Sequence, residues 1–389
     1  MLLIIEKQPV QYRAPLYAEI HRMQGEAIRV MYQSSGATDQ RLDPEFGNAF
    51  AWDIPLLEGY SHEVVPHRRL LWKSLWRAIS ERNVDAVLLT DFSSAISIRA
   101  MLLALLNGTP LWLRMETQDH AYARSIWKTS LRNLCYQLLY APISRALAIG
   151  QLNREHYQRH GLHAQQLHRV PYVVANPLQN ESRPHRQQRR EQLRDALGIS
   201  QDKRVVAFFG KLIPKKNPDI LVEAFRQLPA DLKPLTHLLF VGSGALESAL
   251  RSQCQSYGIP ATFAGFINQR AIHDYYLASD VVCLPSRQMG ETWGLTVNEG
   301  LQAGCAVLCS EHVGCSVEFA TWERVRVCRS EDAGHAAQCL NELLRMDPDP
   351  DWCARRMAEQ YSMQSAARDW VLAMQMHATH SVSRSLLAV

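Results

Sequence analysis

Four residues set the chemistry open to this sequence. Lys211 and Lys216 lie five positions apart after one apolar run, and Glu291 and Glu299 eight apart beyond another. The lysines fall in VVAFFGKLIPKKNPDILVEAF (205–225), where a strand is expected to end at Gly210 and Pro218 suits the first turn of a helix. Two cations on a strand-to-helix loop beside a helix N-terminus suit an anion such as a diphosphate. The segment has neither P-loop spacing nor the G-x-G-x-x-G dinucleotide fingerprint. Solvated loop lysines are the plainer alternative.

The acids fall in DVVCLPSRQMGETWGLTVNEGLQAG (280–304). Glu291 reads as a loop residue at a helix entrance near Gly294, and Glu299 as a residue on that helix. The first amides of a helix, here Gly294, Leu295 and Thr296, lack intrahelical partners and can bind phosphate oxygens. One acid would then hold the hydroxyls of a sugar and the other those of a ribose. Against this stands a first-turn helix acid followed by an exposed helix residue. A third segment, HLLFVGSGALESALR (237–251), runs a strand into Gly242-Ser243-Gly244, a turn that lets a ligand or a neighbouring chain approach closely. An ordinary strand-to-helix turn is the alternative.

Positioning these residues requires strands that end together. Apolar, β-rich runs are expected as strands at 2–6, 28–32, 86–91, 111–115 and 146–149. Helical patterns lie between them at 15–24, 68–82, 92–106, 124–140 and 151–160. A second series follows, with strands at 205–209, 238–241, 262–266, 281–285, 306–309 and 325–328 and helices at 218–228, 245–257, 268–278, 295–303 and 331–345. Strands apolar on both faces, alternating with helices, predict an α/β fold of two doubly wound domains with parallel sheets. Residues 179–194, QNESRPHRQQRREQLR, show no apolar stripe before Leu193 and read as an exposed connector running into a short helix. Ligands bind such sheets beyond the carboxyl ends of the strands, which places a site in the cleft between domains.

Composition narrows the class. At 389 residues, 47% apolar and 21% charged, the chain is ordinary for a globular protein of two domains and unlike disordered or collagenous chains. Net charge is +4, and the excess sits in residues 1–180, which hold 19 Lys and Arg against 15 Asp and Glu. That is too mild for a dedicated nucleic-acid binder. The nine cysteines form no C-x-x-C pair and no zinc-spaced cluster, and read as buried reduced thiols. The N-terminus reads as a first strand without a secretory signal, and no transmembrane helix is expected.

Gly210-Lys211-Leu212 with Lys216, Val241-Gly242-Ser243-Gly244, Ser279-Asp280 through Ser286, and Glu291 with Glu299 follow one another in an order and spacing that resemble the family 4 (group 1) retaining glycosyltransferases. The resemblance covers roughly 204–320. It implies the GT-B fold, two Rossmann-like domains facing across a cleft. Residues 1–178 would take the acceptor, 195–361 the nucleotide sugar, and a C-terminal helix at about 362–389 would pack back on the first domain. The donor would be a UDP- or GDP-type sugar, with no further cofactor and no metal. Gly210, Gly242, Ser243, Gly294, Leu295, Thr296 and Glu299 would bind it, while Lys211, Lys216, Glu291 and Glu116 would serve the reaction. Lys211 stands where the family has Arg, so a forked phosphate contact becomes a point charge.

The first half matches more loosely. Tyr12 and Arg13, in QYRAPLY (11–17), resemble the first loop of members that build surface polysaccharide or lipopolysaccharide, which points to the acceptor. Where many members carry a His after a strand, PLWLRME (110–116) ends in Glu116. Alternatives there are an ion pair of Glu116 with Arg114 or another arginine, and His120 in the functional place. The basic stretch at 66–83 carries Leu70, Leu71, Leu75 and Ile79 on one stripe, bordered by Trp72 and Trp76, with Arg68, Arg69, Lys73 and Arg77 off it. It reads either as a core-facing helix or as a contact with an anionic membrane. The expected setting is cytoplasmic, peripheral at the inner face of the cell membrane, with a glycan or lipid-linked acceptor and no nucleic acid. Two other classes stay open: another GT-B enzyme such as a nucleotide-sugar epimerase or a phosphorylase, and a non-catalytic sugar-nucleotide-binding subunit.

Overall fold

The computed structural model describes residues 1–36, 41–43, 48–50, 52–65 and 71–386; at 41–43, 48–50 and 377–386 only the backbone is described. Residues 66–70, with Arg68, Arg69 and Leu70 of the basic stretch, lie outside the described residues.

The first half runs β1 (Leu2–Glu6), α1 (Ala14–Gln24), β2 (Ile28–Tyr32), the pair β3 (Arg41–Asp43) and β4 (Asn48–Phe50), β5 (His62–Val64), α2 (Leu71–Ile79), β6 (Ala86–Leu89), α3 (Ala95–Asn107), β7 (Leu111–Leu113), α4 (Ile126–Tyr140), β8 (Ile143–Ala148), α5 (Gln151–Arg159) and β9 (Leu167–Arg169). Seven of these strands form a wholly parallel sheet in the order β5-β2-β1-β6-β7-β8-β9. The second half runs α6 (Arg183–Ala196), β10 (Arg204–Phe209), α7 (Asp219–Arg226), β11 (Thr236–Val241), α8 (Glu247–Ser256), β12 (Ala261–Gly265), α9 (Gln269–Ala278), β13 (Val281–Leu284), α10 (Leu295–Gln302), β14 (Ala306–Ser310), α11 (Ser316–Phe319), β15 (Val325–Cys328), α12 (Ala333–Arg345), α13 (Pro350–Gln360) and α14 (Met363–Leu386). Its six strands are again parallel, in the order β12-β11-β10-β13-β14-β15.

Both sheets grow outward in two directions from their first strand. Strand order therefore reverses beside β1 and beside β10, and a crevice opens at each reversal. One apolar core lies between the first sheet and α2, α3 and α5; another lies between the second sheet, α7 and α12. A third is continuous across both halves and includes α1, α10, α13 and α14. Within it, Trp370 of α14 packs edge-on against Tyr17 of α1, with ring centroids 6.0 Å apart. Asn298 and Gln302 of α10 donate to the carbonyls of Tyr172 and Val174, fixing the chain where it crosses between the halves.

The stretch 179–194, read as an exposed connector running into a short helix, is largely exposed, but its helix begins earlier than the first leucines suggest. Most of it belongs to α6, a 14-residue helix whose Ser182 hydroxyl caps the amide of His185. Its packing stripe is made of arginines. Arg190 and Arg194 each reach Asp280 at 2.7 Å, and Arg189 reaches Asp274 at 2.6 Å. A search for apolar periodicity passes over such a stripe, because the buried surface is the stem of charged side chains. Strands β3, β4, β5 and β9 and helices α11 and α13 were also not anticipated, being short or irregular in pattern. Eight of the nine cysteines are buried; Cys135 is exposed on α4. No helix among the described residues is long and apolar enough to cross a membrane.

Candidate functional site

A cavity of about 770 Å³ opens between the halves, at the carboxyl ends of the central strands of the second sheet. Its floor on that side is the strand-order reversal at β10 and β13. The loop after β10 supplies Gly210, Lys211 and Lys216. Lys216 ends a 3-10 turn, Pro214–Lys216, closed by Asn217 in the left-handed region at φ 57°. Asn tolerates that conformation better than most residues. Its buried side-chain amide also donates to the carbonyls of Pro285 and Ser330.

The loop after β13 supplies Glu291. Its Oε2 accepts from Lys216 Nζ at 2.5 Å and from the Ser286 hydroxyl at 3.0 Å. Burial alone would raise the Glu291 carboxyl, but the Lys216 ammonium against it holds it below the usual carboxylate range. Lys215, the neighbouring cation, donates instead to the Gly290 carbonyl at 3.1 Å.

Helix α10 starts at the cavity wall, and Gly294, Leu295 and Thr296 line it. Gly294 has φ 100°, and a Cβ there would sit 2.5 Å from Val313 Cγ1, so only glycine lets the helix begin so close to the sheet. Glu299, one turn on, lines the same cavity and accepts the Tyr276 hydroxyl at 2.6 Å. Burial pushes its carboxyl up to about 7, opposed by the Tyr276 hydrogen bond. Gly242 completes this wall. At φ 139°, a Cβ on it would lie 1.9 Å from the Gly210 carbonyl oxygen, so the turns after β10 and β11 touch backbone to backbone.

From the first half the cavity receives Tyr12, Glu116 and Tyr172. Glu116 accepts from Arg13 at 2.8 Å and from Tyr12 at 3.2 Å, and also from the Tyr172 hydroxyl. Burial works against its charge, but Arg13 and these donors keep its carboxyl below the usual range. Arg13 in turn grips both oxygens of Glu6, at 2.9 and 2.8 Å.

Eleven of the thirteen site residues read from the sequence thus meet at one cavity, and two do not line it. Arg13 is turned away to bridge Glu6 and Glu116, one cation shared between a buried and a half-buried carboxylate. Ser243 lies outside because its carbonyl accepts from the Leu212 amide at 2.9 Å, which ties the turn back to the neighbouring loop. Arg114 is not the partner of Glu116; it donates to the Val170 carbonyl at 2.7 Å and stacks over Tyr172 and Trp370. His120 is exposed and off the cavity.

The sequence reading missed Tyr276, Asn217 and Glu6. Glu6 carried a signal: an acid closing the wholly buried strand LLIIE. Asp119, His156 and His160 also bring ligand-type atoms within 4.8 Å of one another, away from the cavity. Asp119 is held there by Arg132 at 2.5 Å and Arg159 at 2.8 Å, and His156 Nε2 and His160 Nε2 are engaged by Tyr140 and Asn133. That cluster reads as a seam between helices.

Two parallel-sheet Rossmann-like domains with this cavity between them are the α/β architecture of the GT-B glycosyltransferases. Residues 189–360, somewhat under half of the chain, match the family described as Glycosyl transferases group 1. A curated relative is the GDP-mannose-dependent monoacylated alpha-(1-6)-phosphatidylinositol monomannoside mannosyltransferase of Corynebacterium glutamicum, 29% identical over 39% of this chain and 40% of that protein. The chain spans 30–42% of the length of the first curated relatives it matches. Among solved structures, Anabaena Alr3699/HepE in complex with UDP and glucose superposes with TM-score 0.69 at 16% identity, over 96% of this chain and 99% of that one. WaaG, a glycosyltransferase involved in lipopolysaccharide biosynthesis, superposes with TM-score 0.63 at 15% identity, over 95% and 98%. At these identities the likeness is one of fold.

Proposed function

We propose that the protein is a retaining hexosyltransferase that moves a sugar from a UDP- or GDP-linked donor to a glycan or lipid-linked acceptor, without a metal. The observation that carries this reading is the Lys216–Glu291 pair beside the start of α10, in the cavity that also holds Lys211 and Glu299. Residues 1–178 with the C-terminal helix take the acceptor in this reading, and 195–361 take the donor.

As the bond from the sugar to the diphosphate breaks, negative charge grows on the leaving phosphate. Lys211, Lys216 and the first-turn amides of α10 offset that charge, a role in which preorganised donors count most. Ser286 and Lys216 fix Glu291 so that its second oxygen can receive sugar hydroxyls. Glu299 receives the ribose hydroxyls. Tyr12 and Glu116 face the acceptor, and Arg13 holds Glu116 in place. The leaving phosphate takes the acceptor proton on the same face of the sugar, which retains its configuration. Support for the nucleotide comes from the UDP complex of a fold neighbour, for a GDP-sugar from the mannosyltransferase relative, and for a surface-polysaccharide or lipopolysaccharide product from WaaG.

The test is a thermal-shift screen of UDP, GDP and their sugars, with and without EDTA, followed by product analysis with radiolabelled donor. A ligand at 100 times its dissociation constant adds about 2.7 kcal/mol to the folded state. An EDTA-insensitive shift with one nucleotide family, reduced in Lys216→Ala, is expected. No shift with any of them overturns the reading.

A further inference from the structure

Helix α4 is amphipathic the wrong way round for a helix of a closed domain. Its inner side is polar and aromatic: Arg132 pairs with Asp119, Asn133 meets His160, and Tyr136 and Tyr140 pack on His156. Tyr140 is its only fully buried residue. Apart from Leu139, which packs on the core, its aliphatic and Trp side chains face outward. Trp127, Leu131, Leu134 and Leu138 follow at i, i+4, i+7 and i+11 on one stripe, with Ile126 beside it. Ile126 is 87% exposed, Trp127 65% and Leu138 68%.

The neighbours extend this surface. Helices α2 and α3 join the same core on the same face of the first sheet as Tyr140 of α4. On their outer sides Trp72, Trp76, Leu102, Leu105 and Leu106 are exposed. The three helices carry no acidic residue; Lys73, Arg77, Arg99 and Lys128 flank the apolar side chains, Arg77 also meeting Glu63 at 3.0 Å, while Arg132 is held inward by Asp119. Lys128 stands over the Trp127 ring at 5.5 Å and Arg99 over Trp72 at the same distance.

We infer that this layer of α2, α3 and α4 seats the protein on the surface of a bilayer that contains anionic phospholipid. A stripe of Leu and Trp flanked by cations, on helices too polar to span, is the pattern of an interfacial helix. Charge favours the bilayer over a second copy of the chain: a symmetric pairing would set cationic helices against cationic helices. The expected contact at 66–83 is thereby widened from α2 to α3 and α4. The segment leading into α4 also touches the second half. Just before α4, the Ala121 carbonyl accepts from the Gly290 amide at 2.7 Å, one residue from Glu291. The docking face itself stands without the proposed transferase activity.

Co-sedimentation with phosphatidylcholine vesicles, with and without about 30% phosphatidylglycerol, tests this. The full chain should bind the anionic vesicles, less so in high salt, with a blue shift of Trp emission that Trp127→Phe diminishes. Leu131→Ser/Leu134→Ser/Leu138→Ser should lower binding by about tenfold or more while the unliganded melting temperature holds, since these side chains are exposed. Trp72→Ser/Trp76→Ser should lower it less. Failure of the full chain to bind anionic vesicles, or equal binding by the triple variant, overturns the inference. So does a dimer by analytical ultracentrifugation that the triple variant dissolves, which would assign the face to a second copy. Nucleotide-induced thermal shifts report on the cavity separately, so either claim can fail alone.

Discussion

Lys216 donates to Glu291 at 2.5 Å across 75 positions of sequence, and this one ion pair joins the loops that follow β10 and β13. The two loops flank the point where strand order reverses in the second sheet. A cation and an anion are therefore held at fixed places where a sugar diphosphate needs one of each. The side chains are 19% and 12% exposed, so solvent screens the pair little.

Removing the cation should cost transfer more than binding. Lys216→Ala is expected to lower kcat by ~10²–10³-fold, the usual effect of losing one preorganised donor to developing charge. Glu291→Gln should fall by a similar factor, and the double variant by much less than the product, because each single change already breaks the pair. A double-mutant cycle on kcat checks this. Additive losses would separate the two roles.

Glu299 should make nucleotide binding sensitive near neutral pH. Its carboxyl is pushed up to about 7 by burial, and ribose hydroxyls need the ionised form as acceptor. Affinity should therefore fall up to about tenfold per pH unit below 7, and Glu299→Gln should flatten the profile. Stability runs the other way. A raised carboxyl stabilises the fold fully below about 4.5, and that contribution, about 3 kcal/mol, is lost as pH rises through 7. Unliganded Glu299→Gln should melt increasingly above the parent between pH 5 and 8. Calorimetry for nucleotide binding and melting curves at both pH values check the two signs.

Glu116 should separate acceptor from donor. Glu116→Gln is expected to lower transfer by ~10²-fold while the nucleotide thermal shift stays whole, because the residue is held by Tyr12, Arg13 and Tyr172 of the first half. Arg13→Lys should act in the same direction, since a single ammonium cannot fork between Glu6 and Glu116 as the guanidinium does. Loss of the nucleotide shift in Glu116→Gln would move the residue to the donor side.

Much of this was legible in advance because the strands are buried on both faces and read as apolar runs. The positions of Lys211, Lys216, Glu291 and Glu299 then followed from where those runs end. What escaped the reading was polar and long-range. Arg13 fits an acceptor loop locally, yet Glu6, which captures it, is identified only once β1 and the start of α1 are folded together. Tyr276 gives no pattern of its own, since its hydroxyl meets Glu299 from a different helix. The outward stripe of α4 has ordinary helical spacing, and spacing alone does not say which side the core takes.

The same limit explains α6, and it yields a stability test. Arg194 is 1% exposed, and its guanidinium meets Asp280 and the carbonyls of Ala278 and Lys203; Arg190 shares the same carboxylate. Asp280 also accepts the Val205 amide at 2.7 Å, so one acid fastens α6, β10 and the approach to β13. Burial would raise its carboxyl, but Arg190 and Arg194 hold it below the usual range. Asp280→Ala would leave two arginines facing each other in a desolvated place, and removing one partner of a buried pair costs about 3–5 kcal/mol. The melting temperature should fall by about 2–4 °C per kcal/mol for a domain of this size. Because the lowered carboxyl stabilises the fold above its ordinary pKa, the gap between parent and variant should close as pH drops toward 3. A gap of under about 1 kcal/mol at pH 7, the range of an exposed ion pair, would mean that α6 is held by its contacts with α9 instead.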